Sequence, residues 1–170
     1  MRNAEHYSIP TTRMDTEQSG TFLVTHADSD SAMLRNVASG QVHALASNPG
    51  IEEGEVIEGA VGSEPPLDVA WNLTDVESRR SIPVERGEEP PTSQEREIAA
   101  DVAIGEIARE ERAGTGELHV LSVPPEEVED ALADVLDDEE TLARAARLGV
   151  NRVEVRSDRE EGVLSVRYLP

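Results

Sequence analysis

The sequence predicts an α+β fold in two parts: a small all-β barrel over residues 20–86, then an α+β domain over residues 92–170 whose elements run α-β-α-α-β-β. Three observations lead there. Apolar residues alternate with a period of two up to about residue 86. The segment Gly87-Glu88-Glu89-Pro90-Pro91 is charged, proline-stiffened and without an apolar anchor. Beyond it the apolar period becomes 3.6. Residues 87–91 are therefore the expected linker.

Residues 1–19 have no apolar period and are rich in Thr, Ser, Glu and Gln, the composition of a disordered leader. Met14 opens a polar stretch just before the first strand, so translation is expected to begin at Met1 or at Met14. Strands are expected at residues 21–26, 31–37, 41–46, 55–61, 67–73 and 80–85. The cleanest alternation sets Leu67, Val69, Trp71 and Leu73 against Asp68, Ala70 and Asn72. Between strands stand Ala27-Asp28-Ser29-Asp30, Ser39-Gly40, Asn48-Pro49-Gly50 and Glu64-Pro65-Pro66, each with turn chemistry. Short strands so closely spaced read as a small closed barrel or a compact sandwich, because closure removes unpaired edges.

In the second domain, Thr92 and Glu95 have capping-box spacing and open a helix expected to run through Arg112, stopped by Gly114 and Gly116. Residues 117–123 form a strand. Pro125 then starts a helix whose Val128, Ala131, Leu132, Val135 and Leu136 fall on one stripe. Asp138 caps a further helix that carries Leu142, Ala145, Ala146 and Leu148 and ends at Gly149. Residues 152–156 and 163–169 close the domain as a hairpin, giving a small sheet expected to be covered on one face.

The charge pattern points to an environment. There are 36 Asp and Glu against 15 basic residues, every one of them Arg, for a net charge of −21. Lysine is absent. Its alkyl stem is an apolar liability where concentrated salt strengthens hydrophobic association, whereas the weakly hydrated guanidinium pairs with carboxylates. At roughly 1 M salt the Debye length is about 3 Å, so self-repulsion is screened and the charge need not imply a cationic partner. The excess is spread, −7 over residues 20–86 and −11 over residues 92–170, as in a solvated surface and not an acidic tail. These features predict a cytoplasmic protein of a salt-in halophile. Without Cys there is no disulfide, thiol nucleophile or Cys-based zinc site, and no apolar run approaches the ~18 residues of a membrane span. Without Lys there is no Walker loop, Schiff base or Ser-Lys chemistry.

The stretches Gly20-Thr21-Phe22-Leu23-Val24-Thr25-His26-Ala27-Asp28, Gly116-Glu117-Leu118-His119-Val120-Leu121 and Thr141-Leu142-Ala143-Arg144-Ala145-Ala146-Arg147-Leu148-Gly149 resemble an uncharacterised haloarchaeal protein family, a domain of unknown function. The resemblance spans residues 20–170 and implies no activity, cofactor or catalytic residue. Gly54-Glu55-Val56-Ile57-Glu58-Gly59-Ala60-Val61 is similar to the Gly-x-Val-x-x-Gly-x-Val strand of OB-like RNA-binding barrels, and this makes the expected barrel OB-like.

Several groups invite a chemical reading. His26-Ala27-Asp28-Ser29-Asp30 could offer a nitrogen and two carboxylates to a metal, but a hydrophilic hairpin loop explains it as well. His43 and His119 alternate with apolar neighbours and read as hydrogen-bonded strand residues. Asp137-Asp138-Glu139-Glu140 suits helix capping and the macrodipole. Gly114-Thr115-Gly116 reads as a helix stop, since it follows a helix and lacks the third glycine of a dinucleotide fingerprint. No catalytic residue, cofactor or metal is expected. Arginine placement remains: Arg144, Arg147, Arg152, Arg156, Arg159 and Arg167 gather after residue 141, with Arg152, Arg156 and Arg167 expected on one outer strand face. That face could bind an anion or a partner's carboxylates, or it could form an ion-pair lattice with Glu154. Two functions follow: a non-catalytic protein–protein interaction or regulatory module with an unknown protein partner, or an RNA- or DNA-associated protein using the barrel and the Arg152/Arg156/Arg167 face. Phosphate contacts weaken steeply with salt, and Phe22, Trp71 and Tyr168 are expected inward, which favours the first.

Overall fold

The computed structural model describes residues 17–63 and 70–170. Most of the expected leader, both candidate start methionines, the Glu64-Pro65-Pro66 turn and the Leu67 and Val69 half of the alternation lie outside the described residues. The fold is mixed α+β, mostly strands in two sheets, with three α-helices among the described residues. Contacts divide the chain into two compact units, one ending at Ser81 and the other spanning Ile82–Pro170.

The first unit holds β1 (Glu17–Ala27), β2 (Ala32–Asn36), β3 (Val42–Leu45), β4 (Glu55–Ser63) and β5 (Trp71–Ser81). They close on themselves in the order β1-β2-β3-β5-β4, with β4 returning to β1. All ladders are antiparallel except β3–β5, where Leu45 meets Trp71. Inward residues are those the period of two selects. Phe22, Val24, Leu34, Leu45, Ile57 and Val61 form the core, and Trp71 and Leu73 pack against it. Gly59 sits where β4 shifts register against β5, so close to the Asp75 carbonyl that any Cβ would collide with it. Asn48 makes the 48–50 turn by accepting from the Gly50 and Ile51 N–H groups at 2.8 and 2.9 Å.

His43 is also in this core, fully buried, and it is not the hydrogen-bonded strand residue expected: neither ring nitrogen has a partner. Its ring meets Phe22 and Trp71 edge-on, with centroids 5.8 and 4.3 Å away. Burial holds it below the usual imidazole range, so it is neutral.

The second unit holds β6 (Val84–Arg86), α1 (Ser93–Ala100), β7 (Ile107–Glu111), β8 (Glu117–Ser122), a 3₁₀ turn (Pro125–Glu127), α2 (Val128–Leu136), α3 (Glu139–Leu148), β9 (Arg152–Asp158) and β10 (Val163–Leu169). The sheet order is β6-β9-β10-β8-β7. Three features differ from expectation. Residues 84–86 pair in parallel with β9, and the Gly87 N–H donates to the Val155 carbonyl, so this strand and the residues 87–91 after it fall in the second unit. The helix opened at Thr92 ends at Ala100, and residues 107–111 are a strand: pairing with β8 outweighs the helical propensity of Ala, Arg and Glu there. Gly114 and Gly116, both at positive φ, therefore turn a β7–β8 hairpin instead of ending a helix. Finally, the sheet is covered on both faces. Along β10, Val163 and Ser165 are buried under α1, and Leu164, Val166 and Tyr168 on the side of α2 and α3.

The local signals elsewhere are met. Thr92 and Glu95 make both hydrogen bonds of a capping box. Asp138 accepts from the Glu140 N–H at 3.1 Å, and Gly149 ends α3 in the left-handed region at φ 74°.

Candidate functional site

Arg156 and Arg167 do share the face opposite Val153 and Val155, but as a lattice. Glu154 Oε1 accepts from Arg156 Nε and from Arg167 Nη1, each at 2.8 Å. Arg167 also reaches Glu95, 3.4 Å away, whose other oxygen accepts from Ser165 Oγ at 2.9 Å. Burial alone would raise Glu154, yet the two arginines hold it below the usual carboxylate range. Arg152 stands exposed at the start of β9. The strand face is therefore occupied by its own carboxylates.

The His26–Asp28 loop is likewise internally satisfied. Asp28 accepts from the backbone N–H groups of Asp30 and Ser31 at 2.8 and 2.7 Å and pairs with His26 at 3.2 Å, and these bonds hold its carboxyl at about 2. Among the described residues no three His, Asp or Glu side chains converge as metal ligands.

The other two expected arginines, Arg144 and Arg147, open onto a groove of about 410 Å³ on the opposite face of the same sheet. Strand alternation puts Ile107 and Arg109 of β7, His119 and Leu121 of β8, and Val166 and Tyr168 of β10 on one face, and α3 supplies Thr141, Arg144 and Arg147 as the wall. Arg144 is positioned by Glu117, whose Oε1 accepts from its Nε and Nη2 at 2.9 and 2.8 Å and from His119 Nε2 at 2.9 Å. Since the carboxylate only accepts, Nε2 carries the proton and Nδ1 is the nitrogen left for a solute. Burial holds His119 below the usual imidazole range. Glu117 opposes that shift, and the charges of Arg144 and Arg109 add to it. Burial would raise Glu117, but its bonds from His119 and Arg144 hold it down. The Tyr168 ring lies 4.9 Å from His119, and burial raises its hydroxyl above the usual phenol range.

Two carboxylates on the rim, Asp138 and Glu140, face three guanidinium groups. Asp138 is already engaged by Thr141 Oγ1 at 3.1 Å and by the Glu140 N–H. The groove thus combines an aliphatic floor of Ile107, Leu121, Val135 and Val166 with cationic walls, an arrangement suited to an anionic group on an apolar body. Arg109 and His119 were not singled out as partners of Arg144. Once residues 107–111 are a strand, the alternation of Ile107 and Arg109 with Ala108 is the signal that joins them.

A model for a family of unknown function (DUF5812) matches residues 18–157. The chain belongs to that family. The DUF5812 match covers most of the length expected from the resemblance over residues 20–170, and includes Arg109, Glu117, His119, Thr141, Arg144 and Arg147 while stopping before β10. No curated protein and no solved structure matches the chain. Among the described residues no helix is long and apolar enough to cross a membrane.

Proposed function

We propose that this DUF5812 chain is a non-catalytic interaction protein of a salt-in cytoplasm, and that its second unit holds a carboxylate-bearing segment of a protein partner in the groove of Arg109, Arg144 and Arg147. The observation that carries the reading is the convergence of three guanidinium groups on one aliphatic floor in a chain of net charge −21. In molar salt, charge alone confers little affinity, so a floor that buries apolar surface beside the cations suits that environment. The all-arginine basic set supports the same setting.

A second reading rests on the first unit. Its ring order, β1-β2-β3-β5-β4 with β3 and β5 parallel, agrees with an OB-like barrel, a fold used for oligonucleotides. Stacking platforms are what such binding needs in high salt, and Phe22 and Tyr168 are buried while Trp71 packs on the core. This ranks nucleic acid second.

Tagged protein purified in ~2 M KCl with and without nuclease separates the two. A protein that survives nuclease and is lost from the Arg109→Gln/Arg147→Gln variant is the expected result. RNA that co-purifies and disappears with nuclease would overturn it.

A further inference from the structure

We infer that β7 is a docking edge: an extended partner segment, with an aliphatic residue and a carboxylate two positions apart, adds beside it as a sixth strand of the second sheet. This rests on the reading of the arginine groove as the partner site and specifies how the segment is held.

Among the described residues β7 pairs with β8 alone and ends the sheet. The Arg112 N–H donates to the Gly116 carbonyl at 3.2 Å. Antiparallel ladders alternate, so Ala108 and Glu110 bond to β8, and the N–H and C=O groups of Ile107, Arg109 and Glu111 point away from the sheet. The strand contains no proline and its register with β8 has no bulge, so two devices that blunt edges are missing. Apolar surface lies beside these groups: Ile107 is 45% exposed and Ile104 69%.

Geometry also selects the occupant. Neighbouring strands share faces, so alternate side chains of an added strand fall on the groove side with Ile107 and Arg109. An aliphatic residue beside Ile107 extends the floor made by Leu121 and Val166. A carboxylate two positions along meets Arg109, with Arg144 and Arg147 on the wall beyond. A second copy of the chain fits poorly. Two-fold pairing centred on Arg109 or on Glu110 sets like charges face to face, and pairing centred on Ala108 brings Glu106 against Glu110.

The test titrates a capped peptide, Thr-Val-Thr-Glu-Thr-Val-Thr, into the full chain in ~2 M KCl while amide exchange is followed by NMR. The amides of Ile107, Arg109 and Glu111 should slow at least fivefold, with Ala108 and Glu110 unchanged. A peptide N-methylated at alternate residues on its β7-facing side should bind at least tenfold more weakly, and Arg109→Gln/Arg147→Gln should weaken the unmodified peptide similarly. Equal binding of the methylated peptide, with the arginine dependence retained, overturns edge docking and leaves the groove reading standing. Full protection in the arginine variant refutes the groove instead. No response to millimolar peptide overturns the docking edge, and so does protection that appears with protein concentration alone, which assigns the edge to a second copy.

Discussion

Replacing His43 with leucine should stabilise the first unit and remove most of its dependence on mild acid. In the wild-type chain both ring nitrogens are buried without a hydrogen-bond partner, and leaving one such group unsatisfied costs about 1–3 kcal/mol. Leucine has a similar volume and no polar atom. Against that gain stands the loss of two edge-on ring contacts, to Phe22 and Trp71, each worth about 0.5–1.5 kcal/mol. The net expectation at pH 7.5 is a gain of about 1–2 kcal/mol. The pH effect has a definite sign. Burial places the folded-state pKa of His43 below its ordinary value of 6.5, so below that pH the unfolded chain takes up a proton that the folded chain refuses. Stability is then lost as pH falls from 6.5 toward the folded value, at no more than about 1.4 kcal/mol per pH unit, and is fully present above 6.5. Trp71 is the chain's single tryptophan and lies 4.3 Å from the imidazole, so its fluorescence reports this unit. Guanidinium chloride titrations at pH 5.5, 6.5 and 7.5 on both proteins give the comparison. A leucine variant weaker than wild type at pH 7.5, with the acid slope intact, would refute the reasoning and mean that the imidazole finds a partner in solution.

Three further outcomes are expected. Glu154→Gln leaves Arg156 and Arg167 without their shared carboxylate and should destabilise the second unit by about 1–2 kcal/mol, less at ~3 M than at ~0.5 M KCl; denaturant melts followed by circular dichroism measure both. Gly116→Ala places a methyl group against the Tyr168 carbonyl at a φ of 112°, and should cost about 3 kcal/mol or more by the same melts. Arg144→Gln removes a charge that lowers the His119 pKa while leaving Glu117, which raises it, so imidazole resonances followed by NMR should titrate at higher pH than in wild type.

What the sequence made legible was mostly local. Thr92 with Glu95, Asp138 with Gly149, and the alternation of Phe22 and Val24 are each decided within a few residues, and the structure keeps all of them. The strand β7 was hidden because Ala108, Arg109, Glu110 and Glu111 are good helix formers, and only a hydrogen-bonded partner strand reverses that preference. The groove was hidden for the same reason: Arg109, His119 and Arg144 meet only when that hairpin lies beside α3. Arg156 and Arg167 were grouped correctly on one strand face, but charge counting along the chain does not reveal that Glu95, from a helix some seventy residues earlier, closes over the same lattice. His43 illustrates a further limit. Alternation places it inward, yet the absence of a partner depends on which side chains line the ring interior.

The strand at the centre of the second sheet, β10, comes last of the ten in chain order. During synthesis, β8 and β9 therefore emerge with no neighbour between them, and helix α1 emerges before the Ser165 hydroxyl that its Glu95 carboxylate accepts from. The first unit can close as soon as β5 has been made, whereas the second must wait for its keystone. A chain cut short before Val163 would carry a finished ring attached to a sheet with two raw inner edges, a form that cellular quality control should recognise and remove.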